Sequence, residues 1–149
     1  CGGWVAASLE ELPLLKEVLL VGPDQEAFDQ TEPVLREKVR FLSREKLGEM
    51  TLEEKISFFE ELTAEFPTYL SVDKDVLCPE EASTTWSQGE MTLEELCQFV
   101  KILLEKQDIL GMDVCGECDP DACEGDHLND LANRKLLEIW RKERQIYEK

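Results

Sequence analysis

The chain has 149 residues, 42% of them hydrophobic and 34% charged, which suits one globular domain with a real core and excludes a disordered chain. With 34 acidic against 16 basic residues the net charge is −18, so the surface repels phosphate backbones and anionic lipid, and neither nucleic acid nor membrane is expected as a partner. No apolar run approaches a membrane span and no secretory leader is visible, so a cytoplasmic protein with reduced thiols at Cys1, Cys78, Cys97, Cys115, Cys118 and Cys123 is expected. The first residue is Cys1 and CGGWV starts as if inside a turn, which reads as a piece of a longer chain.

In chain order, LLKEVLLVG (14–22) reads as a strand ending in glycine and VRFLS (39–43) as a second. A helix is predicted over 51–66, where Thr51 and Glu54 make a capping box and Leu52, Ile56, Phe59 and Leu62 an apolar stripe. TYLSVD (68–73) is a third strand, and a helix starting at Thr92, with Glu95 three residues on, runs to about Lys106. DILGMDVCG (108–116) is a fourth strand. The last helix runs from about Asp126 to the C-terminus, with Leu128, Leu131, Leu136, Ile139 and Trp140 available for one face. Strands alternating with helices predict the α/β class, a three-layer α/β/α arrangement around a mostly parallel sheet. In such sheets ligands bind beyond the carboxyl ends of the strands, where Asp73, Asp75, Cys115 and Glu117 fall.

Asp73 and Asp75 are the first candidates for chemistry. At strand spacing they share a face, and two adjacent carboxylates repel unless a cation lies between them. Taken alone, a D-x-D pair is equally a solvated turn in which aspartate accepts local backbone hydrogen bonds. A second constellation is Cys115, Cys118, Cys123 and His127, whose knuckle-like spacing suits a structural zinc in a non-catalytic interaction module. Acidic residues crowd that loop and make thiolates harder to form, and reduced, unremarkable cysteines are the competing reading.

SVDKDVLCP, followed by STTWSQGEMTLEEL and then GMDVCGECDP, resembles the C-terminal half of the arginase, agmatinase and formiminoglutamase family, the ureohydrolases. There a strand ends in S-x-D-x-D-x-x-D-P, a Gly-rich loop leads into a helix beginning L-T-x-x-E, and a later strand ends in D-x-x-E-x-x-P. The resemblance is densest over residues 68–120. It implies a partial arginase-like fold, with residues 1–149 the C-terminal portion of one domain. It also implies a binuclear manganese site whose bridging hydroxide attacks a guanidinium or amidine carbon, cleaving a C–N bond. By position Asp73 is similar to the aspartate that bridges both metals, Asp75 to one that holds a single metal, and Glu117 to the glutamate that receives the substrate's guanidinium. The chemistry is consistent with the residues, because hard divalent cations prefer carboxylate oxygen and acidify a shared water. Partners implied are a small guanidino or amidino substrate and further copies of the chain.

Departures from the pattern are specific. Cys78 replaces the third aspartate, Trp86 brings bulk to the Gly-rich loop, and one extra residue separates Asp113 from Glu117. The family's G-G-D-H and D-A-H-x-D segments, which supply the remaining ligands and a catalytic histidine, do not occur, and the single histidine is His127. No catalytic residue is therefore assigned, and the chain alone is expected to be inactive.

Overall fold

A computed structural model describes residues 3–62, 64–119 and 126–147. The chain divides into two compact units, Cys1–Glu49 and Met50–Lys149. Both are mixed α/β and both pair their strands in parallel, as the alternating pattern requires, in two separate two-stranded ladders.

The first unit runs α1 (Gly3–Glu11), β1 (Val18–Val21), α2 (Gln25–Asp29), α3 (Pro33–Arg36), β2 (Val39–Leu42) and α4 (Arg44–Glu49). β1 and β2 pair from Val18 with Val39 to Val21 with Leu42. The strand expected over 14–22 is shortened at its start. Pro13 sits in a turn closed by the Leu15 amide on the Leu12 carbonyl (3.1 Å), and Leu14 is left 83% exposed. The crossover between the strands is made of two short helices that periodicity misses because neither fills two turns. Local chemistry marks both: Asp24 caps α2 by accepting from the Ala27 amide (2.7 Å), and Pro33 occupies the first turn of α3. Phe28 of α2 stacks on Phe41 of β2 with ring centroids 4.0 Å apart.

The second unit runs α5 (Leu52–Glu61), β3 (Thr68–Asp73), a 3₁₀ turn (Lys74–Val76), α6 (Leu93–Lys106), β4 (Ile109–Cys115) and α7 (Asp126–Tyr147). Both predicted capping boxes form, Thr51 with Glu54 and Thr92 with Glu95. The second is reinforced by Lys55 of α5, whose ammonium lies 2.9 Å from Glu95. α5 stops five residues short of the expected 66. Leu62 turns extended, and the Gln107 side chain donates to its carbonyl while accepting from the Ala64 amide. Without that tertiary partner the freed backbone groups would have no local reason to leave the helix.

β3 and β4 pair from Thr68 with Ile109 to Asp73 with Cys115, with a register irregularity after Thr68. The core over this ladder combines Val72, Leu77, Leu93, Leu96, Val100, Leu104, Ile109, Ala132 and Leu136. Phe59 of α5 stacks on Phe99 of α6. On α7 the buried stripe is Asn129, Ala132, Leu136 and Glu143, with Ile139 and Trp140 partly covered. Leu131, expected on the apolar face, is 43% exposed. The helical period counted back from Leu136 reaches 132 and 129, which leaves 131 on the flank. No helix among the described residues is long and apolar enough to cross a membrane.

Leu136→Ala is expected to destabilise the chain by about 3 kcal/mol, through lost burial and the cavity left behind, whereas Leu131→Ala should stay within about 0.5 kcal/mol of the parent. Urea denaturation followed by circular dichroism distinguishes the two faces.

Candidate functional site

The carboxyl end of β3 is where the chain stops being a strand. Asp73 is its last residue and caps the 3₁₀ turn, accepting from the Asp75 amide at 3.1 Å. Asp75 therefore lies in a turn of about three residues rather than on the strand, and the expected two-residue alternation between the aspartates does not apply. The carboxylates are nevertheless close enough for the charge of Asp73 to act on Asp75.

Two glycines shape this end. Gly89, in the TTWSQGE loop, donates its amide to the Asp75 carbonyl at 2.7 Å, and a Cβ there would sit 2.2 Å from the Val76 carbonyl oxygen. Bulk at Trp86 is accommodated because that side chain is 65% exposed and the close approach is made three residues later. Gly116 follows β4 with φ +81°, and a Cβ on it would lie 2.5 Å from Asp73 Oδ1 and 2.8 Å from the Lys74 amide nitrogen. The residue that lengthens the spacing between Asp113 and Glu117 thus has room for a left-handed glycine, which wraps the chain around the Asp73 carboxylate.

The electrostatics of the pair are unfavourable as they stand. Burial pushes the Asp75 carboxyl above the usual range and the negative Asp73 pushes it further, against a Thr84 hydroxyl that favours the charged form. Asp75 Oδ1 is buried and has no hydrogen-bond partner. Cys115, opposite Asp73 in the ladder, has its thiol pushed up to about 11 by burial and by Asp73 and Asp113, and it donates to Asp73.

Glu117 comes to the same end of the ladder as the aspartates, held by residues that motif and spacing did not single out. Lys74, between Asp73 and Asp75 in sequence, is fully buried, and its ammonium donates to Glu117 Oε1 and to Asn133 Oδ1, the latter at 2.9 Å. Asn133 Nδ2 in turn donates to the same Glu117 oxygen at 2.9 Å. Burial raises the Glu117 carboxyl, but the hydrogen bonds from Lys74 and Asn133 outweigh it and leave the group below the ordinary glutamate range. A signal for Lys74 was present in the sequence: continuing the strand alternation from Leu70 and Val72 puts position 74 on the core side. Asn133 and Asn129 on α7 had none. Asn129 clamps the loop between β3 and α6, accepting from the Ser83 amide and donating to its carbonyl.

The zinc alternative requires Cys118 as a thiolate. Cys118 is disulfide-bonded, which removes it from the donor set and overturns the expectation that all the cysteines are reduced. Cys78, Cys97 and Cys115 are free. His127 is exposed at the start of α7, and Cys123 lies outside the described residues.

Gly116→Ala should cost about 2 kcal/mol of stability, because alanine is strained at this φ and its methyl group meets the Asp73 carboxylate and the Lys74 backbone. Thermal unfolding of the two purified chains measures it.

The sequence model of the Arginase family matches residues 2–140. An uncharacterized protein of Thermotoga maritima is 32% identical over 126 residues, covering 80% of this chain and 41% of that protein. Among solved structures, a hypothetical agmatinase from Burkholderia thailandensis superposes with TM-score 0.66 at 20% identity, covering 95% of this chain and 44% of its own. The proclavaminate amidino hydrolase of Streptomyces clavuligerus gives 0.58 at 23% identity, with 76% and 39% covered, and the arginase of Bacillus caldovelox 0.58 at 24%, with 82% and 42% covered. The chain spans about two fifths of the length of these relatives. With a family match over residues 2–140 and a parallel strand ending at Asp73, the chain belongs to the arginase family.

Proposed function

We propose that this chain forms part of a manganese-dependent hydrolase that cleaves a C–N bond of a guanidino or amidino substrate, with Asp73 and Asp75 as metal donors and Glu117 facing the substrate. The observation that carries this reading is the buried, unpartnered Oδ1 of Asp75 beside a second carboxylate at the carboxyl end of a parallel strand. A buried polar atom without a partner calls for a ligand, and carboxylate oxygen is what hard divalent cations prefer. The donor chemistry fits the metal, and the donor count is incomplete: among the described residues no group of three or more His, Cys, Asp or Glu side chains could hold an ion. In this reading the missing ligands and the catalytic acid–base group are supplied by sequence outside these 149 residues, in a homo-oligomeric cytoplasmic enzyme.

A bound metal pair supplies Lewis-acid polarisation and a water acidic enough to act near neutral pH. The chain's own residues do the positioning. Gly89 fixes the backbone of Asp75, Gly116 leaves space around Asp73, and Lys74 with Asn133 hold the Glu117 carboxylate at the same edge.

The 149-residue chain supplied with manganese is expected to release no urea from arginine or agmatine above the no-enzyme blank, since half a donor set does not hold two metals in working geometry. In the intact protein, Asp73→Asn should lose manganese by metal analysis and lower turnover by more than about 100-fold. Glu117→Gln should keep its metal and act mainly on KM. An Asp73→Asn protein with full metal content and normal turnover would refute the assignment.

A further inference from the structure

Glu143 presents the reverse of the Lys74 case, a buried ionisable group without a partner. It lies on the buried stripe of α7 and is 6% exposed, yet no hydrogen bond or ion pair meets it among the described residues. It lines a cavity of about 210 Å³ together with Leu104, Gln107, Asp108, Ile109 and Arg144. The cavity sits at the amino end of β4, whereas Glu117 follows the carboxyl end of that strand, so the two are separate places. The other polar groups around it are already engaged. Arg144 donates to the Ile109 carbonyl, and its guanidinium lies 4.6 Å from the centre of the Trp140 ring. The Gln107 amide is used at both ends, donating to the Leu62 carbonyl and accepting from the Ala64 amide. Asp108 adds a second, exposed carboxylate, and the buried Leu104 and Ile109 supply apolar wall. Two carboxylates against one arginine that is engaged elsewhere leave the cavity short of positive charge. A buried carboxylate is costly alone and much less so beside a cation that donates hydrogen bonds to it.

We propose that this cavity binds a short primary alkylammonium ion, whose ammonium group donates to Glu143 and whose alkyl stem lies against Leu104 and Ile109. The volume is smaller than that of pockets for drug-sized ligands, which start at about 300 Å³, and this limits the ligand to a few carbons. A bare metal ion does not suit the place, since among the described residues no three carboxylate, thiol or imidazole side chains converge to hold one. The site is independent of the Asp73 and Asp75 edge and of the reaction proposed there.

The test follows the Ile109 amide and the Glu143 side-chain carboxyl ¹³C resonances of the 149-residue chain during titration with propylammonium chloride, at an ionic strength held constant with sodium chloride. Glu53, an exposed helix carboxylate, serves as the surface reference, and propanol is the uncharged counterpart of the probe. The expected result is a saturable Glu143 shift at least about threefold larger than that of Glu53, with no saturable response to propanol. Glu143→Gln, checked for folding by its amide spectrum, should lose the saturable Ile109 response. A Glu143 shift no larger than that of Glu53 would overturn the proposal and leave the cavity to water. An equal response to propanol would also overturn it, as would a folded Glu143→Gln chain that responds at Ile109 as the parent does. If Glu143→Gln does not fold, the parent's titrations with propylammonium and propanol decide alone, by the same criteria.

Discussion

A lysine ammonium buried completely beneath a sheet edge is the constraint around which the second unit is arranged. Taking such a charge out of water costs several kcal/mol, about that much even after relaxation, unless ionic and hydrogen-bonding partners meet it. Its partners come from two other elements, Glu117 from the segment after β4 and Asn133 from α7. Lys74 therefore fixes the path of the chain leaving β4 and the position of α7 over the ladder, in addition to what Ala132 and Leu136 contribute by packing. The exposed carboxylate of Glu117 is consequently a positioned group on an otherwise acidic surface, held by donors rather than left to solvent.

The neighbouring aspartates show the opposite balance. Glu117 is stabilised in its charged form, whereas Asp75 is penalised by burial and by Asp73. Burial and a neighbouring charge act on one carboxylate and hydrogen bonds from Lys74 and Asn133 on the other, conditions that a fully solvated turn does not supply. The turn chemistry is real all the same: Asp73 does cap the 3₁₀ turn through the Asp75 amide. One oxygen serves the backbone, and the buried Oδ1 of Asp75 is left for something the protein itself does not provide. Turn capping and a buried oxygen without a partner thus coexist in the D-x-D pair, on different atoms.

The glycines explain how a lengthened motif is tolerated. One additional residue between Asp113 and the following glutamate would displace Glu117 if the chain continued extended. A left-handed Gly116 bends the chain back over Asp73 and brings Glu117 within reach of Lys74. The cysteines nearby take no comparable part. Cys115 is kept as a thiol by burial and by its acidic surroundings, and Cys118 is spent in a disulfide, which removes it from the zinc donor set.

Period and capping chemistry were enough to place β3 and α6 to the residue and to start α5 correctly, because those signals are local: alternation bounded by proline, and a threonine with a glutamate three positions on. The parallel α/β class followed from the order of elements, and the motifs marked the aspartates and Glu117. What local signals could not decide was where α5 ends, since Gln107 terminates it from a distant position, or which flank of α7 is buried, since Leu131 and Ala132 are separated only by the surface they meet. Nor could they decide what Glu117 touches. Its partners lie 43 and 16 positions away in sequence, and only the folding of β3, β4 and α7 onto one another brings an ammonium and an amide to the same carboxylate oxygen.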